Sequence, residues 1–194
     1  MKAAAIPRVL VPLATGTEEM EAVIVIDILR RARWTVVVAG VDDGLLTASR
    51  GVRLMPDEPW RSITPSEFDI LMIPGGGPGV ERFLQFPPLL DAIREFHQAG
   101  KWIGAVCAGP LTLQAAGILA GKKATCHPGV AERLTVTRRL DDRTVVDGRL
   151  ITSQGAGTTF EFALTLVSLV ESPAKAKSIA DSIVLTPFNE NTPL

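Results

Sequence analysis

Three apolar runs in this chain stop at small, glycine-rich junctions, and a helix-like pattern follows each junction. "RVLVPL" (8–13) runs into "ATGTEE", "DILMIPGGG" (69–77) ends in glycines, and "WIGAV" (102–106) runs into "CAGP". A fourth run, "WTVVVAG" (34–40), also closes on glycine. Runs this short, rich in β-branched residues and lacking polar alternation, suit strands buried on both faces. Between them lie longer amphipathic stretches. "EEMEAVIVIDILRRA" (18–32) has Glu in its first turn and two Arg in its last, the charge order that a helix dipole favours. "PPLLDAIREFHQAGK" (87–101) starts with Pro and ends with Gly, as helices do. "GPLTLQAAG" opens a further helix after the third junction, and "GTTFEFALTLVSLVES" (157–172) reads as a long one.

After Gly121 the pattern loosens through "KATCHPG", then "RTVVDGRLITS" turns at Asp147-Gly148. The final "TPFNENTPL" reads as a loose tail. Strands alternating with helices predict an α/β domain with a mostly parallel sheet, and ligands in that architecture sit beyond the carboxyl ends of the strands. The three glycine-rich junctions therefore become candidates for one pocket, and Cys107 lies on the third.

Composition narrows the function classes. Twenty basic and twenty-one acidic side chains leave a net charge of −1, without the basic surplus that sequence-specific nucleic-acid binding or an anionic membrane calls for. The opening residues lack a secretory pattern, because Pro7, Arg8 and Pro12 break the apolar stretch. No window approaches the ~20 apolar residues of a membrane span. Two cysteines make no disulfide framework, which predicts a cytoplasmic protein with reduced thiols. The length of 194 residues fits one domain, 1–194.

Ala105-Val106-Cys107-Ala108-Gly109 follows the order small–x–nucleophile–x–small, which marks a sharp strand-to-helix turn that lifts a nucleophile above a sheet. The N–H after such a nucleophile is free to hold an oxyanion. A buried structural cysteine fits the same pattern. Reactivity would need help: lowering a thiol pKa by about three units takes ~4 kcal/mol, and a helix N-terminus supplies ~0.3–2 kcal/mol. Glu21 is a candidate second stabiliser. On a helix it shares a face with Ile24, Val25 and Ile28, and a carboxyl on an apolar stripe tends to keep its proton and donate it. Glu18 and Glu19 read as solvated first-turn residues, and the same reading stays open for Glu21.

His97 reads as a surface residue near a helix end, and His127, in "TCHPG", sits at a loop that could face a pocket. Adjacent Cys126-His127 is poor ligand spacing, and no metal site is expected. "PGGGPG" lacks the Lys-Ser/Thr of a phosphate loop, and no cofactor is expected either. A redox pair between Cys107 and Cys126 stays open.

Taken together, "EEMEAV", "PGG", "CAGP" and "GTTFEFAL", in this order and spacing, resemble the ThiJ/PfpI superfamily, and within it the branch of the Parkinson-disease-associated protein deglycase with its bacterial YajL-like relatives. The resemblance runs nearly end to end. It implies a flavodoxin-like three-layer sandwich with helices on both faces of the sheet, and a homodimer. It also implies a cofactor-independent enzyme acting on glyoxal, methylglyoxal or their adducts, with a part in oxidative-stress defence, including chaperone-like behaviour. A redox-sensing protein with an oxidisable Cys107 is the alternative. On this resemblance Cys107 is the reactive cysteine, Glu21 the protonated acid beside it, and His127 the nearby histidine. Gly76 and Ala108 supply the oxyanion amides. Arg31, Arg50, Gly75, Gln154 and Gly155 belong to the pocket or the dimer interface. Where human-type members carry Arg and Pro, this chain has Gln154 and Ala156, which leans toward the bacterial members. Ala108 stands where protease-like members have His, so peptidase activity is not expected. The His-x-Glu pair of glutamine amidotransferases is also missing, since Pro128 and Gly129 follow His127.

Overall fold

The computed structural model describes residues 5–185. In chain order the elements are β1 (Arg8–Leu13), α1 (Glu19–Arg31), β2 (Thr35–Gly40), β3 (Leu46–Thr47), β4 (Arg53–Leu54), β5 (Glu58–Pro59) and β6 (Ile70–Ile73). Then come α2 (Gly77–Leu84), α3 (Pro87–Gln98), β7 (Trp102–Val106), α4 (Pro110–Ala115), β8 (Lys123–Ala124) and β9 (Arg138–Arg139). The chain continues with β10 (Thr144–Asp147), β11 (Leu150–Ser153), α5 (Thr159–Val170) and α6 (Pro173–Ser182). The predicted tail 186–194 lies outside the described residues.

A seven-stranded sheet runs β10-β11-β7-β6-β1-β2-β5. Its pairings are parallel except β10 with β11, a hairpin in which Asp147 opposes Leu150. This is the expected three-layer α/β sandwich. Alternation along each strand divides the core into two layers. Leu10, Leu71, Ile73, Ile103 and Ala105 face one layer with Phe83, Ile93, Phe96 and Leu113 from α2, α3 and α4. Val9, Val11, Ile70, Met72 and Val106 face the other with Val25, Ile28, Phe162, Leu166 and Ile179 from α1, α5 and α6. Both faces are covered, so the strand sequences read as unbroken apolar runs rather than alternating ones.

β1 pairs with β2 on one side and β6 on the other, so the chain reverses its direction across the sheet at the β1–β6 boundary. Loops leaving adjacent strands there diverge to opposite faces and open a crevice. The segments after β1, β6 and β7 all end at this crevice. They carry Glu21, Gly75–Gly76 and Cys107.

Two helices escape the sequence reading. α2 begins inside the glycine run that the sequence marks only as a strand end, with Pro78 at its N-terminus. α6 follows Ser172, whose side chain accepts from the Lys175 N–H, and Pro173 opens it.

Gly104 in β7 faces α5. A Cβ there would sit 2.5 Å from Met72 Sδ and 2.9 Å from Phe162 Cζ. Gly104→Ala therefore overpacks a closed layer. We expect a loss of about 1–3 kcal/mol, read as a fall of roughly 2–4 °C in Tm per kcal/mol. An unchanged melting curve would show that the layer has room to spare.

Candidate active site

The elbow after β7 is built from backbone. Cys107 has φ 62°, in the left-handed region, a conformation that costs a side-chain-bearing residue about 1–2 kcal/mol. Three hydrogen bonds hold it there: Cys107 N–H to Ser153 O (2.9 Å), Gly109 N–H to Val106 O (2.8 Å) and His127 N–H to Cys107 O (2.9 Å). A Cβ on Gly109 would lie 2.8 Å from Val106 O and 2.9 Å from Ile73 O, so a small residue is obligatory two places after the cysteine. Pro110 then opens α4.

Glu21 reaches the same point from α1. It is buried, and its Oε2 accepts the Gly75 N–H at 2.7 Å. Gly75 must be glycine, because a Cβ would lie 2.6 Å from Cys107 Cβ and 2.7 Å from Glu21 Oε2. Gly76, at φ 90°, also depends on glycine: a Cβ would meet Glu18 N and Gly16 O at 2.4 Å. The tight junction brings the Gly76 and Ala108 N–H groups to the Cys107 sulfur, where both favour its ionised form. The Glu21 side chain hydrogen-bonds the same sulfur. Three of the expected site residues, Glu21, Gly76 and Ala108, thus converge on the sulfur of a fourth, Cys107.

Burial sets the protonation of this pair. Desolvation first, then the like charge of Glu18, raises Glu21 from 4.5 to about 7, against the Gly75 amide and the Cys107 hydrogen bond. Burial also pushes the Cys107 thiol up to about 12, reinforced by the charge of an ionised Glu21 and by its hydrogen bond, against the Gly76 and Ala108 amides. The sequence-based expectation of a depressed thiol pKa is therefore conditional. While Glu21 is ionised the sulfur keeps its proton. When Glu21 carries the proton, its repulsion vanishes and it becomes a donor to sulfur. The two groups titrate as one unit.

His127 arrives through the loop after β8. Its Nδ1 accepts the Gly129 N–H at 3.0 Å, which leaves the proton on Nε2. A Cβ on Gly155 would lie 3.4 Å from the His127 Cδ2 and 4.0 Å from Glu21 Oε1, so Gly155 keeps the space between them open. Gln154 turns away: its Nε2 donates to Asp141 O at 2.7 Å.

Other expected residues stand elsewhere. Arg31 pairs with Asp27 at 2.6 Å at the far end of α1, about 15 Å along the helix from Glu21. Within one chain it does not reach the pocket. Arg50 lies in the β3–β4 turn, where its backbone N–H donates to Glu19 at 2.8 Å. Glu19 corrects the reading of a solvated residue. It is buried and also accepts from Ser49 Oγ at 2.8 Å; desolvation raises its pKa, but hydrogen bonds from its own amide, Ser49, Arg50 and Val52 outweigh this and lower it. Glu18 caps α1 by accepting the Glu21 N–H at 2.7 Å. Cys126 is free and buried in the α2–α4 layer, against the Arg139 guanidinium, while the free Cys107 packs against the other layer. No disulfide joins the two. Among the described residues, no group of three or more His, Cys, Asp or Glu could hold a metal ion, and no helix is long and apolar enough to cross a membrane.

Comparison with known proteins adds a second line of observation. The sequence profile described as the DJ-1/PfpI family matches residues 7–169. The chain is 42% identical over 163 residues to protein DJ-1 homolog B of Arabidopsis thaliana, covering 83% of this chain and 37% of that protein. It likewise spans under half, 46%, of the plant homolog A. It is 37% identical over 170 residues to the Caenorhabditis elegans glutathione-independent glyoxalase DJR-1.2, covering 87% and 90% of the two chains. Among solved structures, oxidized Toxoplasma gondii DJ-1 superposes with a TM-score of 0.89 at 37% identity over 94% of this chain and all of that one. Drosophila melanogaster DJ-1beta gives 0.90 at 34% identity, over 93% and 99%.

The raised Glu21 pKa has a signed consequence for stability. Between 4.5 and about 7 the folded protein holds a proton that the unfolded chain has released. The stabilisation is therefore full below pH 4.5 and is lost as pH rises to about 7. Its size is about 3 kcal/mol, and the sign is the same whichever member of the pair gives up the first proton. Glu21→Gln should flatten that slope. Denaturant titrations of both proteins across this range check it, and parallel slopes would refute it.

Proposed function

The chain belongs to the DJ-1/PfpI family, and on that premise we propose that it is a cysteine-dependent, cofactor-independent glyoxalase or deglycase acting on methylglyoxal, glyoxal or their adducts. One observation carries the reading: a buried carboxyl and two backbone amides converge on the elbow thiol. A structural cysteine has no use for that arrangement.

With the shared proton on Glu21, the Cys107 thiolate adds to the aldehyde carbon of methylglyoxal. A carbon–sulfur bond forms, and the carbonyl electron pair moves to oxygen. The Gly76 and Ala108 amides stabilise that oxyanion until Glu21 delivers its proton. The resulting hemithioacetal carries a hydrogen on the former aldehyde carbon. Transfer of that proton to the neighbouring carbonyl carbon, through an enediol and with Glu21 and His127 as base and acid, gives a thioester. Water cleaves the thioester to lactate and restores the thiol. The net change is methylglyoxal plus water to lactate, balanced without an external oxidant. Glyoxal gives glycolate by the same steps. An early glycation adduct, an aminocarbinol, enters at the same carbon once its C–N bond breaks, which releases the protonated amine and frees the aldehyde for addition.

A second reading rests on the same geometry. A thiolate facing a protonated acid is oxidised by two equivalents of peroxide, through a sulfenate, to a sulfinate with release of two waters, and Glu21 would stabilise the sulfinate by donating to it. This describes a redox-sensing stress protein with negligible turnover, which is also the setting for chaperone-like behaviour.

Assembly is part of the proposal. Met20 and Val23 on α1, with Val52 and Met55 beside β4, are large apolar side chains left exposed. A homodimer would cover them, and Arg31 and Arg50 then belong to its interface. Gln154 supports a position near the bacterial YajL-like members. Two free thiols fit a reducing, cytoplasmic setting.

Cys107→Ser should lower methylglyoxal turnover at least about 100-fold with an unchanged fold. Full retained turnover would remove the nucleophile. If the wild type turns over far below the ~1 per second of ordinary enzymes yet peroxide yields one clean sulfinate by mass spectrometry, the sensor reading holds. Light scattering at micromolar concentration should give the mass of two chains.

A further inference from the structure

We propose that Glu18 is a positioning residue that keeps the shared proton on the Glu21 side of the pair, by its charge and by the hydrogen bond that fixes the Glu21 backbone. The inference rests on the acid–thiolate reading of the site and deepens it.

Glu18 is the N-cap of α1. Its Oε2 accepts the N–H of Glu21, the third helical residue, at 2.7 Å. Its own N–H donates to Gly75 O at 3.0 Å, while the Gly75 N–H donates to Glu21 Oε2 at 2.7 Å. A closed loop of three bonds thus ties Glu18, Glu21 and Gly75 together. Ser, Thr, Asp and Asn cap helices better than Glu does. Capping alone does not explain a glutamate here. What Glu adds to Ser or Thr is a negative charge, set one helical turn from an acid that must stay neutral.

Among the described residues, Glu18 is the carboxylate whose charge acts on Glu21, beside the Cys107 partner. Glu19, between them in sequence, turns to Ser49 and Arg50. The β6–α2 junction contributes the Gly75 amide and no ionisable side chain. His127 stands across Gly155. The carboxylate of Glu18, one hydrogen bond from the Glu21 backbone, adds its charge to the larger effect of burial and favours the proton on Glu21, whereas the main charge acting on Cys107 is that of Glu21 itself. The effect therefore falls first on Glu21, and the tautomer with an ionised sulfur gains.

Glu18→Gln keeps an acceptor for the Glu21 N–H and removes the charge. Glu18→Asp keeps the charge and a good cap, and Glu18→Ser is a neutral cap should the glutamine variant fold poorly. The thiol of each purified full-length variant is titrated by ultraviolet thiolate absorbance and by iodoacetamide alkylation at neutral pH, with melting curves alongside. We expect Glu18→Gln and Glu18→Ser to raise the apparent thiol midpoint by about half a unit and to slow alkylation about three-fold. Glu18→Asp should stay near the wild type. An unmoved midpoint in Glu18→Gln, or an equal move in Glu18→Asp, overturns the inference. Glu21→Gln is the separate control. If it leaves the midpoint in place, the acid–thiolate reading itself fails; if it raises the midpoint while Glu18→Gln does not, only the role of Glu18 fails.

Discussion

The hydrogen bond from the Gly75 amide to the Glu21 carboxyl holds this molecule's chemistry together. It joins the end of a central strand to the first turn of α1, across 54 residues of sequence, in a place without solvent. The glycine makes the approach sterically possible. The carboxyl, once there, has lost its water and clings to its proton. Everything at the sulfur follows from that: a neutral acid is a donor, an ionised one is a repulsive neighbour.

The architecture explains why such a contact exists at all. A mostly parallel sheet whose chain order reverses beside β1 leaves a crevice at the carboxyl ends of its strands, and the loops after three neighbouring strands empty into it. Each loop brings something simple. The first brings an acid, the second bare amides and the third a sulfur on a strained turn. No residue here is unusual in type. Their function comes from the close approach that glycines at 75, 76 and 109 permit.

Much of this was legible in the sequence, and the physical reason is patterning. β1 and β7 match their apolar runs residue for residue, because inner strands covered on both faces bury mainly apolar side chains. The small–x–Cys–x–small order signals the elbow because sterics around Cys107 demand it. The apolar stripe makes Glu21 a candidate only, and it is the resemblance that decides between it and a solvated first-turn residue. Glu19 was misread because its partners, Ser49 and Arg50, lie in a turn some thirty residues away that no local pattern announces. α2 starts among glycines that mark only a strand end, and α6 carries its signal only in Ser172-Pro173. The charge balance of the acid–thiol pair was beyond reach from the sequence, since it depends on which of two desolvated groups holds one proton.

The site also draws on segments scattered from Glu21 to Gly155, joined only through long-range contacts of the sheet. Until β1, β6 and β7 are side by side, no acid stands near the cysteine and no amides face it. A chain emerging from synthesis, or one partly unfolded, carries just an ordinary thiol with a pKa near ~8.5. If Cys107 serves as proposed, the acid and amides that govern its proton exist together only in the finished tertiary structure, and an incompletely folded molecule has no assembled site.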